Sequence, residues 1–240
     1  LTRTGFRIIF KKNKQKALIM KNIAAYILIL ISALIIVSCS PEEGARDQIN
    51  QENSTFKDPI YNTVFKLYYE KKYDEAYSML KNYVLEKQGK SLILHSLFVK
   101  CAEKSGKLDQ TMKLYQSLPH QKYYIFAKGV MLILENRSSK EAKYSLKKCL
   151  YFFPQNPVVK MYLGYVYVLR NKANLGEKLL SEAASAISSY PLVWYYLALS
   201  RYHTGNKEGA LLSINKALET SPAYMKSEID AISKLKKKIK

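Results

Sequence analysis

Glycine and proline are scarce in this 240-residue sequence, at nine and seven residues, and tryptophan occurs once. A turn-rich β fold needs both turn formers in quantity, so their shortage points to helices, and the abundance of Leu, Lys, Ala and Tyr agrees. Cysteine and histidine number three each. Three cysteines make no disulfide framework. His95, His120 and His203 stand far apart and show no metal-ligand spacing. The sequence has no Gly-rich phosphate loop, no nucleophile elbow and no His-Glu-x-x-His, so no catalytic residue, metal or cofactor is expected. Acidic residues are also few, 19 against 39 basic, giving a formal net charge of +20. What is plentiful is apolar residues, at 48%, enough for a sizeable core, and tyrosine, at 20. Tyrosine suits cores and binding surfaces alike.

The start of the chain is uneven. Seven basic residues and no acidic one precede Cys39, which leaves 32 basic and 19 acidic residues after it, net +13. From Met20 the chain reads Met-Lys-Asn, then an apolar run from Ile23 to Val37, then Ser38-Cys39. The run is shorter than the roughly 20 residues a bilayer core needs, and matches the core of a signal peptide. Ile36-Val37-Ser38-Cys39 resembles the bacterial lipobox. That resemblance implies a lipoprotein signal peptide over 20–38, lipidation of Cys39 and anchoring to a membrane of the cell envelope. Ser40 after the Cys favours the periplasmic face of the outer membrane, with the inner membrane the alternative. Met20 reads as the natural initiator, so residues 1–19 are expected to be an untranslated or disordered extension. Residues 39–56 are polar apart from the anchor and are expected to form a flexible tether.

The rest of the chain repeats. Trp194, Leu197-Ala198, Tyr202, Gly205, Ala210, Ile214, Ala217-Leu218 and Pro222 form one unit. Thirty-four residues earlier come Leu163-Gly164, Tyr167, Asn171, Gly176, Leu180 and Ala183-Ala184, and before those Phe126, Ile133, Ala142, Leu146, Cys149-Leu150 and Pro154. Looser copies fall near 92–122 and 57–91. The pattern resembles the tetratricopeptide repeat (TPR). Arg201 and Lys160 depart from it where an aromatic is usual, and Gly176 replaces an Ala. The resemblance covers about 57–224 and implies an all-α fold: a right-handed α-solenoid of about five helix-turn-helix units. Residues 225–240, with the stripe Met225, Ile229, Ile232, Leu235 and Ile239 and a lysine-rich end, read as a basic capping helix starting at Ser221-Pro222. Small residues let helix axes approach, large ones fill between them, and each unit buries its apolar face only against its neighbours.

In TPR proteins the first helix of each repeat lines a concave groove. The matching positions here are Tyr61, Phe65, Tyr68, Tyr124, Met131, Tyr162, Tyr165, Tyr195, Leu199 and Tyr202, an aromatic groove for a protein or peptide partner. The lysine clamp that binds acidic C-terminal peptides finds no matching arrangement; Lys100, Lys104 and Lys128 come nearest. Cys149 reads as a small core residue, and Cys101 falls on the first helix of its repeat. The expected function is therefore a non-enzymatic scaffold in the bacterial envelope, anchored through lipid at Cys39, with no nucleic-acid partner. Two alternatives stay open: a basic surface that binds polyanions, anionic lipid or peptidoglycan, and an envelope enzyme built on a helical toroid. Salt separates the first alternative from the groove, because only the ionic complex weakens steeply with it.

Overall fold

The computed structural model describes residues 41–56, 59–85, 89–135 and 139–239. The expected extension 1–19, the expected signal peptide 20–38 and Cys39, the expected lipidation site, lie outside the described residues. The chain divides after Gly44, and of the unit before that point only residues 41–44, the opening turn of the first helix, are described. The described residues hold twelve α-helices and no strand. None of these helices is long and apolar enough to cross a membrane.

Five helix pairs follow α1 (Pro41–Thr55). They are α2 (Pro59–Tyr69) with α3 (Tyr73–Leu85), and α4 (Leu92–Lys104) with α5 (Leu108–Ser117). Then come α6 (Gln121–Leu134) with α7 (Ser139–Phe152), α8 (Pro157–Leu169) with α9 (Ala173–Ala186), and α10 (Pro191–His203) with α11 (Lys207–Thr220). The last helix is α12 (Lys226–Ile239). This is the all-α solenoid that the repeat implied, five units and a cap.

The turn inside a pair is the same device in four of the five. Lys71, Gly106, Asn171 and Gly205 take φ of 64°, 68°, 55° and 80°. The next residue then donates to the carbonyl five back: Lys72 to Leu67, Lys107 to Ala102, Lys172 to Tyr167 and Asn206 to Arg201. A left-handed residue closing the helix end in this way is a Schellman motif. Glycine reaches it without strain and asparagine at small cost, while Lys71 is the one that strains. Helix starts are fixed by side chains and proline. Asn156 accepts from the amides of Val158 and Val159, with Pro157 in the first turn, and Asn206 accepts from Gly209. Asn174 and Asp109 lie inside the first turns of their helices and not at the cap position.

Packing keeps the 34-residue register. Leu146, Leu180 and Ile214 are wholly buried, as are Cys149, Ala183 and Ala217, so Cys149 holds a small-residue position of the core. Gly164 and Gly176 bring α8 and α9 together. A Cβ on Gly176 would sit 2.7 Å from the Gly164 carbonyl oxygen, and one on Gly164 would sit 2.7 Å from Leu180 Cγ. The aromatic missing at Arg201 is replaced by a polar tie. The guanidinium donates to Glu177 Oε1 (3.1 Å), to the Gly209 carbonyl (3.2 Å) and to Ser213 Oγ (2.9 Å), joining α9, α10 and α11.

Two expectations are corrected. Residues 41–55, read as a tether, form helix α1, and its Glu52 is wholly buried. Polar composition alone suggested a coil because α1 has hardly any apolar face; a carboxylate in place of a greasy stripe holds it. Glu52 Oε1 accepts from Leu92 N (2.9 Å) and Asn156 Nδ2 (3.0 Å), and Oε2 from Ser91 Oγ (2.9 Å) and Ile93 N (3.3 Å). It thereby meets free amides at the start of α4 as well as the cap of α8. Burial pushes its carboxyl above the usual range, and the four donors pull against that shift. The second correction concerns Ser221. It ends α11, its hydroxyl on the Ala217 carbonyl, and does not start the cap helix, which begins at Lys226. The predicted stripe is otherwise in place: Met225, Ile232, Leu235 and Ile239 are buried.

Candidate functional site

Residues 48–56 and 59–69 run as a strap past later repeats. Gln48 Oε1 accepts from Gln155 N (3.3 Å), and Asn53 donates to the Ala186 carbonyl (2.9 Å). Phe56 and Phe65 set their rings 5.9 and 6.2 Å from Tyr190, just ahead of α10. Tyr69 lies 5.9 Å from Tyr224, just ahead of α12. Helix α2 therefore meets the last repeats, not only its sequence neighbours.

This decides the fate of the ten groove residues. Tyr61, Phe65 and Tyr162 are core, with Tyr162 only 1% exposed, so they cannot touch a partner. Tyr61 and Phe65 face the strap's own contacts, their rings 4.2 Å apart. Met161, one repeat behind Tyr195 in register, is wholly buried as well. The remaining seven, Tyr68, Tyr124, Met131, Tyr165, Tyr195, Leu199 and Tyr202, are half-buried. Tyr165 stacks on Tyr196 at 3.9 Å and 7°, with Tyr195 6.0 Å from the same ring. Tyr124 accepts from Gln116 Nε2 at 3.0 Å. Burial raises the phenols of Tyr165 and Tyr195, which stay neutral donors in this apolar setting. What the arrangement offers is a set of half-exposed rings on the first helices of the later repeats, able to pack against a partner's apolar side chains.

A second concavity, about 160 Å³, opens between Leu85, Lys90, His95, His120, Lys122 and Tyr123. His95 is fixed there on both nitrogens. Gly89's carbonyl can only accept, so Nε2 donates to it at 2.8 Å and Nδ1 accepts from Tyr115 Oη at 2.7 Å. Its ring stacks on Tyr123 at 4.5 Å. Burial drops its pKa to about 4, so it is neutral at pH 7 and has no free nitrogen for acid-base work. The buried thiols of Cys101 and Cys149 are each pushed up to about 12 by burial, which removes the thiolate a nucleophile needs. Among the described residues no group of His, Cys, Asp or Glu could hold a metal ion. Sequence reasoning missed Glu52, the His95–Tyr115–Tyr123 cluster and the exposure of Tyr144 and Tyr151. Their signals are polar or aromatic residues inside otherwise ordinary helices, which periodicity does not separate from neighbours.

No family model and no curated protein matches the chain. Its fold is similar to the crystal structure of a thermophilic TPR protein from Thermus thermophilus, with a TM-score of 0.53 and 18% identity, over 73% of this chain and 96% of that one. The fold is a TPR-type solenoid. The half-buried rings lie on the first helix of each later pair.

Proposed function

We propose that this TPR-type chain is a binding scaffold, not an enzyme, held in the bacterial cell envelope by acylated Cys39. It presents Tyr195, Leu199 and Tyr202, with Tyr165 and, further along, Tyr124 and Met131, to a protein or peptide partner. The observation that carries this reading is the half-burial of these aromatic and apolar side chains on α6, α8 and α10. Large rings half out of a packed surface add contact area at small entropic cost. The lipobox-like Ile36-Val37-Ser38-Cys39 supports the anchor, and Ser40 supports the outer membrane.

The test is capture of the tagged chain from its own membranes, with proteins identified by mass spectrometry. Wild type should retain a specific partner. Replacing Tyr195 and Tyr202 by Ala together should lose it while the helical circular-dichroism signal stays. Retained capture would reject the groove. The mass of the mature N-terminal peptide, read in the same run, should show an acylated Cys39; an unmodified Cys39 would reject the anchor independently.

A further inference from the structure

Helix α7 carries four lysines and one carboxylate, Glu141, and turns its basic side outward. Ala142, Leu146 and Cys149 are buried on one side of it. On the opposite side Lys140, Tyr144, Lys147, Lys148 and Tyr151 follow at intervals of three and four, so they form one stripe. Tyr144 is 71% and Tyr151 84% exposed, more than any other large apolar side chain described. Tyr151 packs edge to face on Phe152, itself exposed, at 5.4 Å. Among the described residues no carboxylate lies in ion-pair distance of Lys140, Lys143, Lys147, Lys148 or Lys172, and Glu141 has an interaction of its own. The cations crowd one another. Lys143 is held below its ordinary range, by desolvation and then by repulsion from Arg170, Lys147, Lys172 and Lys140.

Concentrated unneutralised charge of one sign calls for an anionic occupant. The shape selects among anions. A peptide would need a groove to seat its anchors, whereas this face is the ridge of a single helix. Protruding tyrosines flanked by lysines suit the headgroup layer of a bilayer, where the ring sits among carbonyls and the ammonium reaches phosphate. We propose that the outer face of α7 docks on a membrane surface rich in anionic phospholipid, Tyr144 and Tyr151 entering the headgroup layer and Lys140, Lys147 and Lys148 pairing with lipid phosphates. The contact is separate from the aromatic rings of α8 and α10, so a partner on those rings and the bilayer on α7 can be held at once.

The test uses the full chain with vesicles of phosphatidylcholine alone and with about a third phosphatidylglycerol. The acetylation rates of Lys140, Lys147 and Lys148 are read by mass spectrometry against Lys66 and Lys113. In anionic vesicles the three should react at least about fivefold slower, with the two references unchanged, and about 0.5 M salt should abolish the difference. Neutral vesicles should give no protection. Tyr144→Ser with Tyr151→Ser, both at the surface and harmless to folding, should lose most of the protection. Equal rates in both vesicle types, or protection untouched by the tyrosine changes, would overturn the proposal. Protection by a vesicle-free protein extract equal to that of anionic vesicles would assign the face to an acidic protein and overturn it too. None of these outcomes bears on partner capture by Tyr195 and Tyr202.

Discussion

At the scale of single residues, small departures from the repeat carry measurable cost. Tyr162 is wholly enclosed, and its hydroxyl has no hydrogen-bond partner among the described residues. A buried unmade hydrogen bond costs about 1–3 kcal/mol, so Tyr162→Phe should stabilise the protein by about 1 kcal/mol in urea unfolding; a loss of stability would show that the hydroxyl is satisfied. Lys71 takes a left-handed φ where Gly106 and Gly205 do so freely, so Lys71→Gly should add about 0.5–1 kcal/mol. His95 sets a pH dependence. The unfolded ring takes a proton near pH 6.5, and the folded one only near 4. The folded state therefore binds fewer protons between those values. Stability is full above pH 6.5, falls as pH drops toward 4 by about 1.4 kcal/mol per unit, and loses about 3 kcal/mol in all. His95→Gln keeps a donor for Gly89 and should flatten that slope in thermal melts taken from pH 7 to 4.

At the scale of elements, α1 shows how a polar helix is held without an apolar face. Its anchor is one carboxylate shared among Ser91, Leu92, Ile93 and Asn156. Glu52→Ala would strand these donors, and should cost about 2–4 kcal/mol. Amide exchange in residues 45–56 should rise by about a hundredfold while α8 and α9 keep their protection; unchanged exchange there would show that α1 is held by something else. The α8–α9 pair is tied by backbone contact. Gly176→Ala would force its methyl against the Gly164 carbonyl and should lower stability by about 1–3 kcal/mol, against a helix-propensity gain of at most about 1.

At the scale of the whole molecule, an ordinary solenoid is quasi-one-dimensional: each repeat touches its neighbours, and ends can unravel alone. The strap changes this, because residues 48–56 and 59–69 touch the start of α4 at 91–93, the turn at 155–156, the end of α9 and the turn after it at 186–190, and Tyr224. Repeats far apart in sequence then share a fate. Urea unfolding of the wild type should be a single transition. Glu52→Ala combined with Phe56→Ala should split it into two, the terminal repeats melting first; a single transition in the variant would remove the strap from the cooperative unit. The strap also governs access, since it takes Tyr61 and Phe65 out of reach and leaves the rings on the later repeats half open.

The sequence by itself determined the helix pairs, their number and the 34-residue core register of the last three. Trp194, Leu197, Ala210 and Ala217, like Leu163, Gly164 and Ala183, are spaced by local helix geometry and by contacts between neighbours, which the linear order records. Only the tertiary structure decided that 41–55 is a helix, that Tyr61, Phe65 and Tyr162 are core and that Tyr144 and Tyr151 stand in solvent. Those outcomes depend on which distant segment arrives to cover a face. A tyrosine at a groove position reads the same in sequence whether solvent or the chain's own first helix lies above it.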